Sequence, residues 1–371
     1  MAAWMLSEAS CPQTSASPSW GSIFHPSRAP VNIADVATSL MKGVLSYGPR
    51  FFELEWCHFC RERHTPPEAA PVFRLPLDLG LRIVSFLPFS DRSALNASCR
   101  HLEKFVTNPV AARVRHTLRE FGLDPGPFLE SMQYHGAVIG GIAALRIFVE
   151  DVPMPRVLEV YTRQGHPDLG APNQEEYDDD DPSADRGNGY RLVETAIFTY
   201  GKCQLLGYQH YGANVEKILR MRNSTLDREI LFVQSRVPPI ELIIEAPTTL
   251  LMNFITSNDA VCLYPDLTER RKGLLTLPIP DDRSSTLDVP VLDTLAGFRL
   301  YMFGNATQAV GRHRCPLHPS CPAVPRAYPD LLMYTVRFTD AGGYGSRLAE
   351  STWTLKVPSP CGSTERIEQS T

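Results

Sequence analysis

Phe73-Arg74-Leu75-Pro76-Leu77-Asp78-Leu79-Gly80-Leu81-Arg82-Ile83-Val84-Ser85-Phe86-Leu87-Pro88-Phe89-Ser90-Asp91, continuing to Cys99-Arg100-His101-Leu102, is the stretch on which the reading of the chain turns. Pro76 costs no hydrogen bond at the start of a helix and presets φ, and Asp78 puts negative charge in the first turn, where the macrodipole favours it. Leu79, Ile83, Val84 and Leu87 then fall on one helical face until Pro88 stops the run. Ser90 suits the N-cap of a second helix carrying Leu95, Cys99 and Leu102, with Phe105 and Val106 extending the stripe. The spacing predicts two short helices in one unit. Ala111 to Leu123 reads as a further helix, broken by Asp124-Pro125-Gly126-Pro127.

Working outward, the 371 residues suffice for two or three domains. Hydrophobic residues at 43% and charged residues at 21% are ordinary for a soluble globular chain, whereas 32 prolines imply many irregular connections. A net charge of −5 and a pI near 6.1 provide no electrostatic footprint for nucleic acid or an anionic membrane. Nine cysteines, an odd count scattered from Cys11 to Cys361, do not form a dense disulfide framework and fit a reducing compartment. The first residues lack a basic region followed by an apolar one, so no secretory signal is expected, and the longest apolar stretch, Gly136 to Val149, contains Arg146 and is too short to span a bilayer. The expected location is the cytoplasm or the nucleus.

The predicted organisation is a disordered tail over 1–30, an amphipathic helix and linker over 31–70, the helical unit with its following helix over 71–124, a mixed α/β domain over 128–357 and a flexible tail over 358–371. The fold class is α/β or α+β. Within the larger domain, strands are predicted at Gly136–Ile139, Arg156–Tyr161, Glu229–Gln234, Ile240–Glu245, Ala260–Tyr264, Phe298–Phe303, Leu332–Phe338 and Thr352–Val357 from β-branched and aromatic enrichment. Helices are predicted at Ile142–Val149, Leu192–Tyr200, Asn214–Arg220 and Thr248–Thr256. The run Glu175-Glu176-Tyr177-Asp178-Asp179-Asp180-Asp181 repels itself and reads as a disordered acidic loop. No internal repeat is present.

Leu75, Pro76, Asp78, Ile83, Leu87, Pro88, Asp91, Cys99 and Arg100 stand at the spacings of an F-box, and the segment 72–110 resembles that family. Arg92 departs from the usual leucine and Ser98 from the usual valine. The resemblance implies docking on the Skp-type adaptor of a cullin ubiquitin ligase, through Leu75, Pro76, Ile83, Leu87, Pro88 and Leu95, with an unknown protein substrate recruited elsewhere on the chain. Such a protein acts by proximity, raising the effective concentration of its target near a ubiquitin-charged enzyme. It does no bond chemistry and needs no cofactor.

A second resemblance concerns the larger domain. A strand ending in Gly140-Gly141 and leading into a helix, an acid at Glu159 on the next strand and another at Glu241 on a later one are similar to the skeleton of a nucleotidyltransferase. In that family a small-residue turn admits the triphosphate, and paired acids with a third carboxylate hold two Mg²⁺ ions. Here Val157 takes the place of the first acid, Gly141 that of the usual serine, and both remaining acids are glutamates, so the resemblance implies a catalytically degenerate copy. The alternative is a metal-dependent nucleotidyltransferase-like enzyme, or an F-box scaffold working outside a ligase. Met252–Ile255, Leu263–Thr268, Cys321-Pro322 and Arg326 also resemble the C-terminal part of uncharacterised proteins of mushroom-forming fungi.

Two groups have the close spacing of Zn²⁺ ligands, namely Cys57 and Cys60 with His64, and His313, Cys315, His318 and Cys321. Cys57 and Cys60 could meet Cys315 and Cys321 only if distant segments fold together. The competing reading is small buried apolar groups, and no metal is expected. No Lys-bearing phosphate loop, Gly-x-Ser-x-Gly elbow or His-Glu-x-x-His helix occurs, so the chain is not expected to be an enzyme.

Overall fold

Between residues 77 and 135 the described chain is built of helices. The computed structural model describes residues 76–98, 100–163, 189–197, 214–276, 295, 297–302, 306–311, 321, 323–338 and 351–355, all of which lie in the unit Pro49–Thr371. Leu75, the amphipathic segment within 31–70, the acidic run at 175–181 and both terminal tails lie outside the described residues.

Helix α1 spans Leu77–Ser85, with Pro76 at the N-cap and Asp78 in the first turn. Helix α2 spans Phe89–Ser98, beginning one residue before Ser90, the predicted cap. Helix α3 is a correction: Leu102, Phe105 and Val106 belong to one long helix, Arg100–Glu120, rather than to a continuation of α2 followed by a separate helix. It runs on through Pro109, whose missing N–H costs a hydrogen bond. A buried stripe of Leu102, Phe105, Val106, Val110, Val114 and Leu118 offsets that cost.

The end of α3 is set by Gly122 at φ +66, with Gly122 N–H bonded to Arg119 O at 2.8 Å and Leu123 N–H to Leu118 O at 3.0 Å. These two bonds satisfy carbonyls the helix leaves open. The Asp124-Pro125-Gly126-Pro127 break also starts a helix: α4 runs Pro125–His135, with the Asp124 side chain accepting from Gly126 N–H at 3.2 Å. Gly136 at φ 59 closes it.

An eight-stranded mixed sheet follows. Its strands are β1 (Val138–Ile139), β2 (Val157–Arg163), β3 (Arg191–Ile197), β4 (Val215–Asn223), β5 (Arg228–Ser235), β6 (Asn253–Ile255), β7 (Asp259–Cys262) and β11 (Tyr334–Arg337), in the spatial order β11-β7-β6-β1-β2-β5-β4-β3. β2 and β5 pair in parallel and the other neighbours are antiparallel. Two small sheets join β8 (Lys272–Leu275) to β9 (Arg299–Met302) and β10 (Arg326–Tyr328) to β12 (Ser351–Trp353). Helices α5 (Gly141–Phe148), α6 (Pro239–Ile244), α7 (Pro265–Glu269) and α8 (Ala306–Val310) complete the described elements. The class is therefore mixed helix and sheet, as the sequence predicts.

Four predicted elements are corrected. Of the segment Leu192–Tyr200, read as a helix, the described part up to Ile197 lies in β3; Asn214–Arg220, also read as a helix, runs into β4 from Val215; and Thr248–Thr256 is a single 3₁₀ turn at Thr249–Leu251 followed by β6. Pairing decides against the helical period: Arg220 on β4 bonds both carboxylate oxygens of Glu229 on β5 at 3.0 Å and reaches Glu194 on β3 at 3.5 Å. Such cross-strand partners exist only in the sheet. Conversely, Ile240–Glu245 is the helix α6 rather than a strand, because Pro238 and Pro239 preset its entry. A short apolar run alone does not distinguish the two.

Helix α5, with seven of its eight residues buried, packs on β2, β6 and β7. α3 lies against α5 and β11, and α2 against β11 and α7. Phe89 of α2 stacks on Tyr334 of β11 with ring centroids 4.7 Å apart and planes at 8°, and Phe148 meets both rings edge-on. The N-terminal helices thus share a core with the sheet. Among the described residues, no helix is long and apolar enough to cross a membrane.

Candidate functional site

The docking residues read from the sequence divide into two groups. Leu87 and Leu95 are 5% and 7% exposed and belong to the core between the helices. Pro76 and Pro88 are exposed and Ile83 is half-buried. Three further side chains, which the sequence reading does not nominate for docking, stand in solvent: Leu77 at 58%, Phe86 at 55% and Leu79 at 38% exposed. Leu77 and Phe86 flank α1 at either end, since Phe86 is its C-cap. Gly80 faces inward because a Cβ there would lie 2.3 Å from the Phe105 ring, which lets α1 approach α3 closely.

The Gly140-Gly141 turn sits between β1 and α5, and both glycines are required. A Cβ on Gly140 would lie 2.7 Å from Tyr161 and from Ile243. Gly141 has φ +64, and a Cβ there would come within 2.8 Å of the Glu159 carboxylate. Glu159 therefore places its negative charge at the N-terminal turn of α5, where the unpaired N–H groups and the macrodipole favour an anion. The Tyr161 hydroxyl donates to Glu159 Oε2 at 2.5 Å, fixing the carboxylate from the side.

Val157, Glu159 and Tyr161 alternate onto one face of β2. On that face Glu159 is flanked by the hydrocarbon side chain of Val157 and the phenol of Tyr161. Glu241 lies in the first turn of α6, not on a strand as predicted. Ile243 of the same helix is the residue that turns toward Gly140. On β5, the strand parallel to β2, Glu159 is opposite Leu231.

Comparison with known families, with curated proteins and with solved structures finds no match for this chain.

Of the candidate zinc ligands, Cys57, Cys60, His64, His313, Cys315 and His318 lie outside the described residues. Cys321 is 1% exposed. Among the described residues, no group of three or more His, Cys, Asp or Glu side chains is placed to hold a metal ion. Cys262 donates to the Thr268 hydroxyl at 3.4 Å, and burial pushes its thiol up to about 12, which suppresses the thiolate needed for nucleophilic chemistry.

Arg326, 3% exposed, is held as a structural cation. It bonds both oxygens of Asp330, at 2.5 and 2.9 Å, and lies 5.1 Å from the Tyr264 ring and 5.5 Å from that of Trp353. A pair so enclosed sets packing around β10 and β12 and leaves no cation for a ligand.

Proposed function

We propose that the chain is an F-box adaptor whose N-terminal helices dock on a Skp-type subunit of a cullin ubiquitin ligase and whose α/β unit recruits a protein target. The observation that carries this reading is the pair of large apolar side chains, Leu77 and Phe86, left in solvent on α1 within a segment that keeps the spacings of an F-box. Isolated apolar side chains on a surface are ordinary. Two of them flanking one helix, with exposed Pro76 and Pro88 beside them, supply anchors of the kind on which interface energy concentrates. Leu87 and Leu95 then support the helices from within rather than meeting the adaptor.

The α/β unit serves this function as a scaffold. Its Gly140-Gly141 turn and mixed order, β1 antiparallel to β2 and β2 parallel to β5, support a skeleton like that of a nucleotidyltransferase. Val157 and the position of Glu241 favour one without the metal-dependent reaction. The experiment is a pull-down of a purified Skp-type adaptor by the full chain. Retention that is lost on Leu77→Asp with Phe86→Asp supports docking, and no retention by the unaltered chain rejects it.

A further inference from the structure

We propose that α3 is a strut across the sheet, seated at its C-terminal end in a joint that couples the N-terminal helices to the outer strands. A helix of 21 residues is about 30 Å long and eight paired strands span about 34 Å, so one helix suffices to cross from edge to edge. α3 packs on β11, one outermost strand. Its C-terminal end meets the entry of β3, the other outermost strand, and the hairpin that joins β4 to β5.

Three side chains from the sheet build the joint. Tyr190, one residue ahead of β3, donates its hydroxyl to Phe121 O at 2.9 Å, supplying a carbonyl at the helix end with a partner from 69 residues away. Arg228, the first residue of β5, holds its guanidinium 5.7 Å from the centre of the Phe121 ring and 4.0 Å from the Glu120 carboxylate. A cation thus stands where the helix macrodipole is negative. Leu226 fills the notch left by the absent side chain of Gly122, its Cδ1 only 2.8 Å from where a Cβ would lie. The Glu120 pair is long and part-exposed and adds little. The hydrogen bond and the fitted leucine carry the seat.

The hairpin holds Leu226 in place from behind. Leu226 N–H donates to Asn223 Oδ1 at 3.1 Å, and Asp227, at φ 50, pairs with Arg222 of β4 at 3.4 Å and with Arg156 just ahead of β2. The turn is therefore tied to two strands of the sheet as well as to α3. Since α1 and α2 pack on α3, the face bearing Leu77 and Phe86 keeps one orientation relative to β3, β4 and β5. The use of that orientation in presenting a target rests on the docking reading; the coupling itself does not.

The test is hydrogen exchange on the full chain with no adaptor present, read in both directions across the joint. Tyr190→Phe and Leu226→Ala, both on the sheet side, should each accelerate exchange of the amides in 118–123 by about threefold or more. Gly122→Ala, on the helix side, should do the same for 191–197. Residues 142–148 and 259–262 should keep their protection. Acceleration confined to the substituted side of the joint, or equal acceleration of all segments, would overturn the strut. Tyr190→Phe removes a single oxygen atom, so it decides the matter if Gly122→Ala does not fold. An unaltered chain that fails to bind adaptor, with coupled exchange intact, would reject docking and leave the strut standing.

Discussion

The carboxylate of Glu159 occupies the space into which a side chain at Gly141 would project, with its Cδ and Oε2 atoms 2.8 Å from the position of that Cβ. One consequence is that an acid of the chain itself fills the anion-favouring mouth of α5. The other is that position 141 tolerates no side chain. Gly141→Ala meets both the collision and φ +64, and should cost about 1–3 kcal/mol of stability, measured by urea unfolding. A variant as stable as the unaltered chain would show that the turn is not held as described.

The same occupancy predicts how the chain treats nucleotides. With Glu159 at the helix terminus and Val157 beside it, a triphosphate with Mg²⁺ would meet a like charge and lack a metal ligand. Isothermal titration with each nucleoside triphosphate and Mg²⁺ should detect no binding tighter than about millimolar. Turnover abolished by Glu159→Gln would instead establish a working carboxylate.

Leu77 and Phe86 stand in solvent, so replacing them separates docking from folding. Leu77→Asp with Phe86→Asp should shift stability by no more than about 0.5 kcal/mol per site while removing adaptor retention. Leu95→Ala, in the core, should do the reverse, lowering stability by about 2–5 kcal/mol. Parallel denaturation and pull-down of the three proteins check both halves.

Phe89, 4% exposed and stacked on Tyr334, carries the packing between α2 and the sheet. Phe89→Ala should cost about 3–5 kcal/mol, because the cavity between two packed layers cannot collapse fully. Calorimetry should show one cooperative transition in the unaltered chain. Separate melting of the helices and the sheet would contradict a shared core.

Alkaline pH should destabilise the fold. Burial raises the Cys262 thiol from 9.0, and the Tyr264 and Tyr334 hydroxyls from 10.0, each to about 12. The folded state therefore holds these protons to higher pH than the unfolded state does. Their contribution is complete below pH 9.0, declines as the unfolded groups deprotonate, and is lost as pH rises through about 12. Denaturant midpoints measured from pH 8 to 11 should fall, and less steeply in Tyr334→Phe. A flat profile would be incompatible with burial of these three groups.

The elements legible in the sequence are those with local punctuation. Pro76 and Pro88 stand immediately before α1 and α2, the Asp124–Pro127 break follows the end of α3 at Glu120 but also opens α4, which the break alone does not announce, and the β-branched runs around β2 and β5 mark strands. At the candidate sites, the Gly140-Gly141 turn and Glu159 were legible as neighbours because a short strand, a helix and a strand join them. Glu241 falls in a short apolar run that reads equally as strand or helix, and the helix follows from the Pro238-Pro239 entry ahead of it.

By itself the sequence determined that this chain has a proline-bounded helix pair with F-box spacing, followed by mixed helix and sheet, because caps, breakers and periodicity act over a few residues. Only the tertiary structure decided that β3 and β4 are strands, since Glu194, Arg220 and Glu229 become partners only across a sheet. It likewise decided which apolar side chains of the helix pair face solvent. Leu87 and Leu95 are covered by the chain's own elements while Leu77 and Phe86 are not, and what covers a helix face is a property of the surrounding layers rather than of the helix.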